Sequence, residues 1–195
     1  INNDYYPEFR LFINELSRYR GEIDERVGSV YNALINDSYS ENSVYVYGRI
    51  GIVHNNIFPY DGLRIDDKIN LALFSKKWNG ELIKTPKHYL QRFTNWDDMP
   101  NDTVLKFCQK DSEECRRARQ SVLFGKPEGK ARFLKQCYQN ETLIAQDRIE
   151  PFKQKNRNCQ LIIFVIGDKP ITGYVQYSNQ KIINDNSIHG PLLIK

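Results

Sequence analysis

No stretch of this chain comes near the ~18 consecutive apolar residues that a membrane-spanning helix needs. The longest run, Leu161 to Ile166, is only strand length. Histidine is scarce, and His54, His88 and His189 stand far apart, none with a partner at ligand spacing. With no Cys-x-x-Cys or His-x-x-x-His either, no motif for a structural zinc is present, and no metal or cofactor is expected. The phosphate-binding P-loop, the dinucleotide fingerprint and the Gly-x-Ser-x-Gly nucleophile elbow are also missing. Gly48-Arg49-Ile50-Gly51 falls inside an expected strand, where a bulge or a close backbone approach accounts for the glycines. The first residues, Ile1 to Pro7, are polar and aromatic and form no signal peptide. A start at Ile rather than Met reads as trimming to an ordered part.

What remains is an ordinary globular balance. Hydrophobic residues make up 40% and charged residues 27% of 195, which excludes a disordered tail and suits one domain over 1–195. Charge is unevenly spread. Residues 1–98 carry 12 Lys and Arg against 14 Asp and Glu, and residues 99–195 carry 16 against 10, net −2 and +6. The densest stretch holds Arg116, Arg117, Arg119, Lys126, Lys130, Arg132 and Lys135 against Glu128 alone. A stripe of one sign suits a phosphate-bearing partner, whereas basic helix faces also occur with no partner at all.

The N-terminal segment has the most regular pattern. Phe9, Ile13, Leu16, Ile23, Val27, Val30 and Leu34 alternate in steps of four and three, interrupted where Arg20 takes a seam position. That spacing predicts a helix over residues 8–34 with Ile13, Leu16, Ile23, Val27 and Leu34 buried. Pro7 and Glu8 suit its first turn. Val44 to Val53 reads as a strand with Tyr45 and Tyr47 on one face. Residues 69–84 read as a hairpin around Asn79-Gly80, a pair that fits a type I′ turn. Residues 102–123 read as a second helix, with Val104, Phe107, Cys108, Cys115, Ala118 and Val122 on one side, and residues 130–139 as a third. Leu161–Ile166 and Ile171–Tyr177 flank Gly167-Asp168 as antiparallel strands, with possible edges at Ile182-Ile183 and Leu192–Ile194. The expected fold is α+β: a long N-terminal helix packed on a mainly antiparallel sheet, with a central pair of helices.

Four cysteines and three Asn-x-Ser/Thr sequons, headed by Asn36, Asn101 and Asn140, suit a secreted, disulfide-bonded chain. Against that, Cys108 and Cys115 on one helix would sit about 10 Å apart, beyond the ~7 Å that a bridge spans. Buried free thiols in an intracellular protein of cytoplasm or nucleus are the plainer expectation, with bridges from Cys137 or Cys159 left open. A metal-dependent nuclease core would draw on Asp61, Asp66, Asp67, Glu81 and Lys84. Its Asp/Glu-x-Lys element needs two-residue spacing on a strand, and Glu81 and Lys84 are three apart.

Nucleic acid fares better. Arg116, Arg117 and Arg119 share an arc of about 160° on a helix, and Phe124 and Phe133 stand among the cations, where they could stack bases. Glu113, four residues before Arg117, offers an ordinary helix ion pair instead. The stretch CQLIIFVIGDKPITGYVQ is similar to a strand–turn–strand of the Argonaute Mid domain. It covers under a tenth of the chain and lacks a Tyr-Lys-Gln-Lys phosphate set, so it assigns no site residue. The leading expectation is a non-enzymatic binding module that contacts RNA or DNA backbone through residues 116–135. The alternatives are a structural domain that meets a protein partner or a second copy through residues 8–34, or an enzyme with a dispersed site.

Overall fold

The computed structural model describes residues 4–18, 45–46, 57–58, 67–109, 112–166, 169–180, 183 and 186–192. Its α-helices are α1 (Tyr6–Arg18), α2 (Lys68–Lys77), α3 (Glu113–Ala118) and α4 (Ala131–Gln139). Its strands are β1 (Tyr45–Val46), β2 (Ile57–Phe58), β3 (His88–Tyr89), β4 (Thr103–Phe107), β5 (Val122–Phe124), β6 (Leu143–Asp147), β7 (Phe152–Gln154), β8 (Arg157–Ile166), β9 (Lys169–Ser178) and β10 (Ile188–Pro191). Apart from the short parallel pair β1–β2, the strands form two antiparallel sheets, ordered β3-β6-β4-β5 and β10-β9-β8-β7. The fold is α+β. The chain divides into two compact units, one of residues 16–79 and 85–148, the other of residues 1–15, 80–84 and 149–195.

In the first unit β4 is central, paired with β5 on one side and β6 on the other. Register puts Leu105, Phe107, Leu123, Leu143, Ala145 and Tyr89 on one face, since opposed residues of a ladder share a side. That face packs against Cys115 and Ala118 of α3, Leu134, Cys137 and Tyr138 of α4, and Trp96 and Met99. On the other face Ile144 packs with Ile69 and Ala72 of α2, Leu90 and Cys108. Helices therefore cover both faces, which is why β4 reads as a nearly continuous buried run. Gly125 follows β5 at φ +66°, and a Cβ there would lie 3.2 Å from the Asn101 carbonyl oxygen. Gly125→Ala is expected to destabilise this unit by about 1–2 kcal/mol, the cost of left-handed backbone for an L-residue. A change within error in urea unfolding would contradict the left-handed turn.

Two sequence expectations fail here. Residues 102–123 are not one helix but β4, the six-residue α3 and β5. The apolar residues Val104, Leu105 and Phe107 serve two faces of a strand, and only Glu113–Ala118 remains helical, started by Ser112, whose hydroxyl accepts the Cys115 amide at 3.2 Å. Residues 69–84 are not a hairpin either. The Asp67 carboxylate accepts the Ile69 amide at 3.0 Å, capping α2, and Ile69, Ala72 and Leu73 follow at helical spacing against the sheet. Asn79-Gly80 comes after the helix rather than at a hairpin tip. Asp67, weighed above as a metal ligand, is thus a buried helix cap that also accepts from the Gln109 side-chain amide at 3.3 Å.

Other expectations stand closer. The helix at residues 130–139 is α4, with Leu134 and Cys137 buried and Phe133 partly so. Of the expected central pair, the second helix is present as α4, while only Glu113–Ala118 of residues 102–123 is helical. The strands around Gly167-Asp168 are β8 and β9, longer than the sequence implied, and β7 and β10 flank them. Of the N-terminal helix, Tyr6–Arg18 is helical, with Ile13 and Leu16 half-buried rather than in a core. Ile23, Val27 and Leu34 lie outside the described residues, as do most of Val44–Val53, the Gly167-Asp168 turn, Ile182 and 193–195. In the second unit the Glu8 carboxylate of α1 accepts the Leu82 and Ile83 amides at 2.7 Å each. Burial pushes that carboxyl up, but the amides of Ile83, Leu82 and Glu81 and the charge of Lys84 outweigh it and hold it below the ordinary glutamate value.

All four cysteines are buried free thiols, though not for the reason that helix geometry suggested. Cys108 follows β4 and packs under α2, while Cys115 sits in α3 on the opposite face of the sheet. Burial pushes the Cys137 thiol above its ordinary value, which disfavours the reactive thiolate. Four thiols are expected to titrate in denaturant without reductant, and Cys137 to react only slowly in the folded chain. Fewer than four under denaturing conditions would contradict the unbridged arrangement.

Candidate nucleic-acid interface

The basic stretch is distributed over α3, β5 and α4, and its seven cations do not behave alike. Arg116 and Arg117 lie on the outer side of α3, whose inner side buries Cys115 and Ala118. Arg119 closes the helix with φ 56°, a left-handed cap for which a non-glycine residue is unusual. Arg132 stands on the outer side of α4, away from Leu134, Cys137 and Tyr138. All four arginines are exposed, and among the described residues none makes an ion pair. Glu113 is exposed too but does not engage Arg117. The Arg117 guanidinium instead lies 4.9 Å from the centre of the Phe133 ring, a contact worth about 0.5–1 kcal/mol at an exposed site.

The lysines have internal partners. The Lys126 ammonium donates to the Trp96 and Met99 carbonyls at 2.7 and 3.0 Å. That of Lys130 donates to the Ala118 carbonyl at 2.8 Å and so satisfies an orphan acceptor at the end of α3. Lys135 pairs with Asp97 at 2.7 Å. It borders a shallow depression of about 250 Å³ whose walls include Asp97, Asp98, Asn95 and Gln139, a place better suited to a cation than to phosphate.

The two phenylalanines are separated by the sheet. Phe124 pairs with Val104, on the face opposite Leu105 and Leu123, whereas Phe133 packs on the α3–α4 side. Phe124 is 38% exposed and has the Arg148 guanidinium 5.6 Å from its ring, while Phe133 lies partly buried beneath Arg117. The structure thus brings Arg116, Arg117, Arg119 and Arg132 to helices on one side of the sheet, together with Phe133, and places Phe124 on the other. Lys126, Lys130 and Lys135 hold the surrounding loops and helix ends. No family model, curated protein or solved structure matches this chain.

Sequence reasoning missed a part-buried pair on the opposite side. His88 on β3 is 6% exposed, and its Nδ1 lies 2.8 Å from the Ser75 hydroxyl of α2. Burial, and next the charge of Lys106 on β4, push His88 down to about 4, so it is neutral near pH 7. Lys106 is itself held below its ordinary value by burial and by Lys68. Nothing local in the sequence links residues 75, 88 and 106, because β3 and α2 meet only through the fold. Across the sheet, the Tyr89 hydroxyl donates to Asp147 at 2.7 Å and is pushed up to about 12 by that bond.

Proposed function

We propose that this protein is a nucleic-acid-binding module in which Arg116, Arg117, Arg119 and Arg132 contact the sugar–phosphate backbone. One observation carries the reading: four exposed guanidiniums, unpaired among the described residues, sit on two adjacent helices packed on the same sheet face. Guanidinium forks suit phosphate oxygens, and among the described residues the four have no ion pair to release. The seven-cation surface expected from the sequence narrows to these four, because Lys126 and Lys130 are tied to backbone carbonyls and Lys135 is paired at the surface with Asp97. Phe133 contributes by holding Arg117 rather than by stacking a base.

Binding carried by phosphate contacts is indifferent to sequence and falls steeply with salt. Replacing the four arginines with Glu is expected to weaken binding to RNA and DNA of any sequence. The slope of log affinity against log salt should flatten by about one for each phosphate no longer neutralised. Fluorescence anisotropy with labelled single- and double-stranded oligonucleotides, at several salt concentrations, measures both. No binding by the parental chain at tens of micromolar in low salt, or an unchanged slope in the variant, overturns the proposal. The reading of assembly through residues 8–34 would then lead.

A further inference from the structure

The strands of the second unit carry an aromatic row. Register in the β10-β9-β8-β7 sheet places Phe164, Tyr174 and His189 on one face, each offset diagonally from the next across β8, β9 and β10. Diagonal neighbours on a sheet are within reach of aromatic side chains. Here the ring centres of Phe164 and Tyr174 lie 5.9 Å apart, and those of Tyr174 and His189 5.0 Å. The row is not a core. Phe164 is 51% exposed and His189 is exposed, whereas the other face buries Cys159 and Val175. The Gln176 side-chain amide meets the His189 ring at 3.2 Å and steadies it. Thr172 stands beside Phe164 and Gln160 beside Gln176, both exposed, with polar ends turned to solvent.

Charge adds a second argument. The four strands contain no Asp or Glu. Two exposed lysines stand in register with the row, Lys153 opposite Asn158 and Lys169 opposite Ile166; Arg157 registers to the other face. Three adjacent rings, amides at their flanks and lysines that make no ion pair among the described residues match an anionic chain that carries flat, unpaired rings. We propose that this face binds single-stranded nucleic acid by stacking its bases on Phe164, Tyr174 and His189. A duplex hides its base faces and would not stack there, whereas aromatic rings on an exposed sheet accept splayed bases of any sequence. The proposal shares the ligand class of the arginine reading but is carried by a different unit and different side chains.

The test uses the full chain with fluorescently labelled oligo(dT), oligo(U) and a duplex of equal length. Phe164→Leu keeps apolar bulk and removes the ring; His189→Ala removes the end of the row; Phe164→Tyr restores an aromatic face. Near-ultraviolet circular dichroism and thermal unfolding select variants that keep the fold. Single-strand binding is expected to weaken roughly tenfold or more in Phe164→Leu and in His189→Ala, to return in Phe164→Tyr, and duplex binding to stay unchanged. Equal single-strand affinity in all three variants overturns the proposal. So does an equal loss for single strand and duplex, or binding of a neutral oligosaccharide on this face in place of the oligonucleotide. If only the arginine variant loses binding, and loses both forms alike, the stacking face falls and the arginine reading survives. If only the Phe164 and His189 variants lose it, the reverse holds.

Discussion

Phe107→Ala is expected to cost roughly 3–5 kcal/mol of unfolding free energy in the β3–β6 unit, the range for a fully buried aromatic. The ring is fully buried and lies in β4, the central strand, among Leu134, Cys137 and Tyr138 of α4 and Leu143 of β6. These neighbours cannot easily close the gap. Tyr138 is tied to the Thr94 carbonyl at 2.9 Å and packs on Trp96 at 5.7 Å between ring centres, and β6 is fixed by its ladder to β4. A cavity that stays open adds its own cost to the lost burial. Trp78 and Trp96 both lie in this unit, so tryptophan fluorescence in urea reports on it. The comparison is Phe93→Ala, where the ring is 54% exposed and lies under the Lys76 ammonium; about 1 kcal/mol or less is expected there. A Phe107→Ala loss as small as that of Phe93→Ala would mean that the core does not lie between β4 and α4.

Some elements were legible in the sequence because their signals are local. Leu161–Ile166 is a bounded apolar run, and with Gly167-Asp168 beside it the pairing of β8 and β9 followed. The α4 helix shows part of its inner face at Leu134 and Cys137, with charge opposite, although Tyr138 is buried beside them. Others were not legible, for a reason shared by α2 and β4. An element covered on both sides loses the alternation or the single stripe that reveals its period. Leu105 and Phe107 belong to the core under α3 and α4 while Val104 is buried on the other face, and Val104, Phe107 and Cys108 then happened to match helical steps. At α2, the strong turn pair Asn79-Gly80 outweighed a weak helical stripe, and the cap at Asp67 passed for one carboxylate in an acidic turn.

The candidate site divides in the same way. That residues 116–135 carry exposed positive charge could be read from the sequence, because exposed arginines on α3 and α4 need no tertiary information. Which cations are committed could not. Lys126, Lys130 and Lys135 find partners at Trp96, Met99, Ala118 and Asp97, from 12 to 38 residues away. The aromatic row was hidden more deeply, since Phe164, Tyr174 and His189 meet only when β8, β9 and β10 adopt their register.

Acid is expected to destabilise the same unit through His88. In the fold its ring is buried against the Ser75 hydroxyl of α2, with Lys106 of β4 nearby, while the Pro86 carbonyl and Asp147 of β6 partly oppose the shift. The outcome is a side chain pushed down to about 4, whereas an unfolded chain leaves histidine near 6.5. Between those values the unfolded state binds a proton that the folded state refuses, so stability is full above about pH 6.5 and declines as pH falls toward 4. Linkage for one such group gives a loss of roughly 2 kcal/mol between pH 7 and pH 5. Carboxylates titrate mainly below that window, so the decline belongs to histidine. Urea midpoints followed by tryptophan fluorescence at pH 7, 6 and 5 measure it. His88→Gln keeps a hydrogen-bonding group for Ser75 and cannot be charged, so it is expected to start less stable at pH 7 and to lose most of the slope. If the variant declines with pH as steeply as the parental chain, His88 is not the group that titrates. A histidine accommodated only when neutral also explains why Lys106 can stand beside it, since a second positive charge there would repel the first.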